Sequence, residues 1–186
     1  MYNNEPMSVP NVNHNALMTL ARTALIVGLV LFFDQASSVD ERQLSFYHTH
    51  TGQSLDITYA VGGEFDEEAL AEINSFLADF RTGDEIEIDT ELLDFVYDVR
   101  ASLGSTGTLE VISAYRSPET NEMLRSGSSG VVSNSQHLLG KAIDVRLRDV
   151  KTSDLRDAAL ALQRGGVGYY EQSDFVHIDT GRVRRW

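Results

Sequence analysis

Apolar positions along residues 39–186 switch between two periods. Leu44–Tyr47 and Ser54–Tyr59 alternate apolar and polar residues, the pattern of half-buried strands, and Thr51-Gly52 between them supplies a turn. The period then lengthens. Leu70, Ile73, Leu77 and Phe80 recur at spacings of three and four behind Asp66, predicting a helix capped by Asp66 and running through Phe80. Leu92, Leu93, Val96 and Val99 predict a second helix, opened by Asp89 or Thr90 and ended by Gly104. Thr108–Ala114 is short and β-branched, hence a strand, and Ser117-Pro118 starts a short helix to about Arg125, with proline at its first position. Residues 126–136 are a loop by their Gly and Ser content. Ala142–Leu147 reads as a strand, Ser153 caps a helix through about Arg164, and Val167–Tyr170 and Phe175–Asp179 are the last strands. Helices grouped early and strands grouped late predict an α+β domain, an antiparallel sheet flanked by helices.

Upstream, residues 24–33 form a ten-residue apolar run, with Arg22 before it and Ala36-Ser37-Ser38 after it. A basic n-region, an h-region and a small-residue cleavage site predict a Sec-type signal peptide over residues 1–38. Its alternative is an uncleaved anchor over Ala16–Phe33, interrupted by Arg22. Either implies export, to the periplasm or the cell-wall side of the inner membrane, with residues 39–186 as one folded domain.

Charge sharpens this picture. The chain carries a formal −13. Residues 39–100 hold 16 acids and 3 bases, whereas residues 101–186 hold 11 bases and 10 acids. Such acidity excludes a nucleic-acid binder, whose affinity comes from Lys and Arg on phosphates. The lack of cysteine excludes disulfide scaffolds, thiol nucleophiles and Cys-ligated metals. The acidic run Asp84–Asp94 reads as a solvated face.

The remaining chemistry lies with histidine and aspartate. His137 ends the Gly/Ser loop, Asp144 lies on the next strand, and His177 and Asp179 share one face of the last strand. Two imidazoles and one carboxylate are the ligand set of a catalytic zinc site, which keeps a position for water. His48 and His50 also project together; their readings are metal binding or packing in the first hairpin. Tyr115, Tyr169 and Tyr170 read as core aromatics or as cleft-flanking residues.

Three ordered stretches extend the pattern: Ser113-Ala114-Tyr115-Arg116-Ser117, Ser135–Asp144 and Phe175–Gly181. They resemble the signature blocks of the D-Ala-D-Ala-type zinc peptidases, a group that includes the hedgehog fold. The closest likeness is to the YcbK-like murein endopeptidases, and it runs from about Leu44 to Trp186. The resemblance implies one Zn²⁺ held by His137, Asp144 and His177, and a substrate-binding role for Arg116. Ser135 would orient substrate or a ligand, or else cap backbone groups. For the general base, relatives of the dipeptidase type carry Glu three residues before the last His. Here that position is Asp174, with Asp179 as the rival or as a partner orienting His177. The implied function is a zinc-dependent murein endopeptidase cutting peptide cross-links, with peptidoglycan stem peptides as its partner. The alternatives are a D,D-carboxypeptidase or dipeptidase, and a non-catalytic zinc-bearing module that binds cell-wall peptides.

Overall fold

The computed structural model describes Met1, residues 39–127 and residues 132–186. The leader reading falls on residues outside that set, as do residues 128–131 of the Gly/Ser loop. Among the described residues, no helix is long and apolar enough to cross a membrane.

Eight strands form one sheet. They are β1 (Glu41–His48), β2 (Ser54–Val61), β3 (Glu64–Phe65), β4 (Leu109–Ser113), β5 (Ala142–Leu147), β6 (Gly166–Tyr170), β7 (Phe175–Asp179) and β8 (Arg184–Arg185). The helices are α1 (Glu67–Phe76), α2 (Thr90–Ser102), α3 (Pro118–Gly127) and α4 (Thr152–Leu162). Strand order across the sheet is β3-β2-β1-β4-β5-β7-β6-β8.

The α+β class agrees with the sequence, but the sheet is mixed rather than antiparallel. β1 pairs with β4, and β6 with β8, in parallel. The chain between β1 and β4 passes through α1 and α2, and such a crossover returns a strand in the same direction, which a tight hairpin cannot do.

Alternation along the strands separates the two faces. Phe46 pairs with Leu55 and Leu109, Val111 with Val145, and Val145 with Val176, so these side chains share one face. That face joins Ile73, Leu92, Phe95 and Leu155 from the helices, and Leu77 just past α1, in a single core. The other face carries Asp144 opposite His177, and His177 opposite Gly168. Polar positions of β5 and β7 thus build the site.

Asp66 caps α1 as predicted, its carboxylate accepting from the Glu68 and Ala69 amides. The helix stops at Phe76, short of Phe80. Asp79 ends it, since its backbone bonds to Asp84 and Gly83 and its carboxylate accepts from the Arg81 amide at 3.0 Å. The other Asp79 oxygen accepts from the Ser117 amide at 2.8 Å, clasping the loop that carries Arg116. Asp89 caps α2, whereas α4 begins two residues earlier than a Ser153 cap predicts, at Thr152, with no side-chain cap.

Asp79 is 1% exposed. Burial opposes its charge, but bonds from Thr120, Ser117 and Arg81 outweigh that and hold its pKa below the usual carboxylate value. Its stabilising contribution is therefore complete above the unfolded pKa and lost as pH falls through the folded one. Asp79→Ala is expected to cost about 3 kcal/mol at neutral pH, by loss of a multiply bonded buried acceptor. In denaturant titrations the gap to wild type should narrow below roughly pH 4. A gap independent of pH would contradict this role.

Candidate metal centre

Local structure aims each donor. Ser135 caps the 3-10 turn Gln136–Leu139, its hydroxyl accepting from the His137 amide at 3.4 Å, and Gly140 closes that turn in the left-handed region at φ 66°. His137 Nδ1 lies 2.5 Å from the Ala114 carbonyl, so Nδ1–H donates outward and Nε2 faces the site. Asp144 and His177 sit directly opposite one another on β5 and β7. His177 Nε2 lies 2.8 Å from Asp179 Oδ2, so Nε2–H donates there and Nδ1 faces the site.

Three atoms converge. His177 Nδ1 lies 2.8 Å from Asp144 Oδ1, His137 Nε2 lies 3.2 Å from His177 Nδ1, and His137 Nε2 lies 3.3 Å from Asp144 Oδ1. Ligands at ~2.0–2.1 Å around a tetrahedral ion stand about 3.3 Å apart, so this triangle fits one face of such a site with slight opening. All three residues are buried. Two imidazoles and a carboxylate suit zinc and leave a fourth position towards the cavity.

A second layer holds the donors. Arg116 donates from Nη2 to Asp144 Oδ2 at 2.9 Å and from Nε to the Ser113 hydroxyl at 3.1 Å, leaving Oδ1 as the inward oxygen. Asp179 is completely buried. It accepts from Arg184 Nη1 and Nη2 at 2.9 and 2.7 Å, and from the Gly181 and Gly166 amides. Burial would raise its pKa, yet the bonds from His177, Arg184 and Gly181 hold it well below the carboxylate range. Asp144 is likewise held low: burial opposes its charge, and the two imidazoles outweigh that. Burial lowers the His137 pKa, while Asp144 and Asp179 overcome burial and raise that of His177.

The sequence-derived site residues therefore divide. His137, Asp144, His177, Arg116 and Ser135 all line one cavity. Asp179 stands behind His177, with both oxygens engaged and no surface towards that cavity. Asp174 is elsewhere. Its backbone is left-handed at φ 53°, and its carboxylate meets the Thr152 hydroxyl and Arg146, lining a different depression beside α4. Asp174 lies three positions before His177, but it ends the turn that precedes β7, and its left-handed backbone there directs it away. Asp144 is the one carboxylate among the described cavity-lining residues.

His48 and His50 stand apart from this cluster. His48 is buried, and His50 stacks on Phe80 with centroids 4.3 Å apart, which is the packing role. Arg184 and Trp186 are cavity residues; the terminal stretch Arg182–Trp186 shares the family resemblance, but the sequence assigned neither a role. Arg184 is reached only through the pairing of β8 with β6, which residue spacing does not reveal.

Residues 36–186 match the family described as peptidoglycan L,D-endopeptidase MepK. The peptidoglycan L,D-endopeptidase MepK of Escherichia coli strain K12 is 37% identical over 178 residues, covering 95% of this chain and 98% of the relative. A Haemophilus influenzae relative, named a probable peptidoglycan L,D-endopeptidase MepK, is 38% identical over 151 residues, covering 81% of each. No solved structure matches the chain. With its blocks in order and the match spanning the whole folded region, the chain belongs to the peptidoglycan L,D-endopeptidase MepK family.

Proposed function

We propose that the chain is a zinc-dependent peptidoglycan endopeptidase that hydrolyses an amide bond in cell-wall peptide cross-links. By the names of its relatives, that bond joins an L-centre to a D-centre. The observation carrying this reading is the buried triangle of His137 Nε2, Asp144 Oδ1 and His177 Nδ1 on the wall of an open cavity. These three residues are the proposed ligands, and the D-Ala-D-Ala-peptidase type of fold is proposed with them. Action on peptidoglycan places the protein outside the cytoplasm, with residues 1–38 proposed as its export leader.

Zinc held there supplies a Lewis acid that acidifies water and polarises the scissile carbonyl. The rest belongs to the chain. Arg116 commits two donors to Asp144 and Ser113 and offers the remainder of its fork to a substrate carbonyl or carboxylate. Asp179 and Arg184 hold the His177 ring in one tautomer and one orientation. Asp179 acts as an orienter rather than a base, because its oxygens are occupied and sealed from the cavity.

One observation favours a second reading, a peptide-binding module: no carboxylate beyond Asp144 lines the cavity among the described residues. Digestion of purified cross-linked muropeptide dimers separates the two. Zinc-loaded protein should release monomers, and a chelator should abolish the release. Zinc should bind at about one per chain in wild type and be lost in His137→Ala. Absence of monomers from a fully zinc-loaded sample would favour the module.

Asp179→Asn and Arg184→Gln should weaken zinc binding by about 10- to 100-fold, the usual cost of removing a group that orients a ligand. Asp174→Ala should leave both zinc affinity and turnover within about twofold. Competition with a colorimetric chelator measures the affinities. A large turnover loss in Asp174→Ala, with zinc retained, would restore Asp174 as the base.

A further inference from the structure

The cavity in front of the three donors, about 470 Å³, has a polar floor and an aromatic wall. Trp186, the chain's one tryptophan, supplies that wall. Its ring centroid lies 5.2 Å from that of the His177 imidazole. The indole is fixed on several sides. Its residue bonds along the backbone to Val167 and Tyr169 of β6. Its Nε1–H donates to the Tyr170 hydroxyl at 3.0 Å, and the Arg184 guanidinium lies 4.8 Å over its ring. The ring covers Gly168, where a Cβ would stand 2.6 Å from Cε2, so any larger residue would displace it. Tyr170 is itself braced by stacking on Phe175 at 4.5 Å. Trp186 nonetheless stays 50% exposed. An indole held by this many contacts, half open, and beside a proposed ligand is placed for contact with a bound molecule, since core packing would have buried it.

We propose that Trp186, with the Tyr170 hydroxyl, is the specificity-determining wall for the substrate residue flanking the scissile bond. The wall accepts an aliphatic side chain that ends in a polar group. Methylenes pack on the indole, where burial of apolar surface is favourable. The Tyr170 oxygen accepts from the indole, so its own proton points away and is offered to a carbonyl or carboxylate of the substrate. A sugar ring also stacks on indole. Here, however, the indole adjoins His177, so its occupant lies within about one residue of the bond cut, and in a peptide hydrolase that occupant is peptide. The inference rests on the hydrolase reading above.

The test uses zinc-loaded full-length protein and glycan-free cross-linked peptide dimers. Trp186→Ala should lower kcat/KM about tenfold, mainly through KM, with zinc content unchanged, and Trp186→Phe should recover most of the loss. A dimer with its scissile amide N-methylated should shift the emission of the lone tryptophan saturably, which reads binding without turnover. Wild-type kinetic constants in Trp186→Ala would overturn the wall, as would a defect seen only with glycan-bearing substrates. If wild type cleaves nothing but the emission shift persists, the wall stands and the hydrolase reading falls.

Discussion

A carboxylate with no solvent exposure must have its charge answered from within the fold, because stripping water from an ion costs far more than one contact returns. Asp179 is answered by five hydrogen bonds: one from His177, two from Arg184, and one each from the Gly166 and Gly181 amides. Much of the C-terminal structure follows from that requirement. Arg184 reaches Asp179 because β8 runs alongside β6. Residue 166 is glycine because a Cβ there would run into the Asp179 carboxylate and the Arg184 guanidinium. The tight turn after β7 exists to bring the Gly181 amide back onto Asp179 at 2.8 Å.

The same interaction sets the chemistry of the cavity. Ala114 takes the Nδ1 proton of His137, while Asp179 takes the Nε2 proton of His177, so the two rings present opposite nitrogens. Arg116 occupies the outer oxygen of Asp144 and leaves the inner one. Each donor thus has a single inward atom, chosen by an outer partner. The outer partners also balance charge, with Arg116 against Asp144 and Arg184 against Asp179. All described cavity-lining residues come from position 116 onward, the half of the sequence that is nearly neutral. The strong acidity of residues 39–100 therefore lies outside the cavity lining.

Much of this was legible in one dimension. Alternation located β1 and β2, short β-branched and apolar runs located β4, β5, β6 and β7, and Asp66 and Asp89 marked their helices. The blocks around Arg116, His137, Asp144 and His177 brought together the residues that the fold places in one cavity. What escaped depends on pairing between distant segments. Alternation says which face a residue takes and nothing about which strand lies beside it, so the parallel β1–β4 contact was invisible. Asp179 was correctly placed on the His177 face, but its enclosure depends on Arg184, which belongs to a two-residue strand too short to carry a period. Asp174 shows the opposite case: a spacing taken from a resemblance, at a left-handed residue just before β7 that lines a different depression. Asp79 drew no notice because an acid in an acidic stretch looks solvated, and only the fold buries it.

Two outer acceptors, the Ala114 carbonyl and Asp179, impose opposite tautomers on His137 and His177 and so create the converging site. Long-range ¹H–¹⁵N correlation spectra of the zinc-loaded protein, labelled at histidine, test it directly. The five histidines give separable patterns, assignable by single substitutions. The expected result is His137 protonated at Nδ1 with Nε2 bearing the metal, and His177 protonated at Nε2 with Nδ1 bearing it. Finding both histidines in the same tautomer, or His177 bound through Nε2, would rule out this origin of the site.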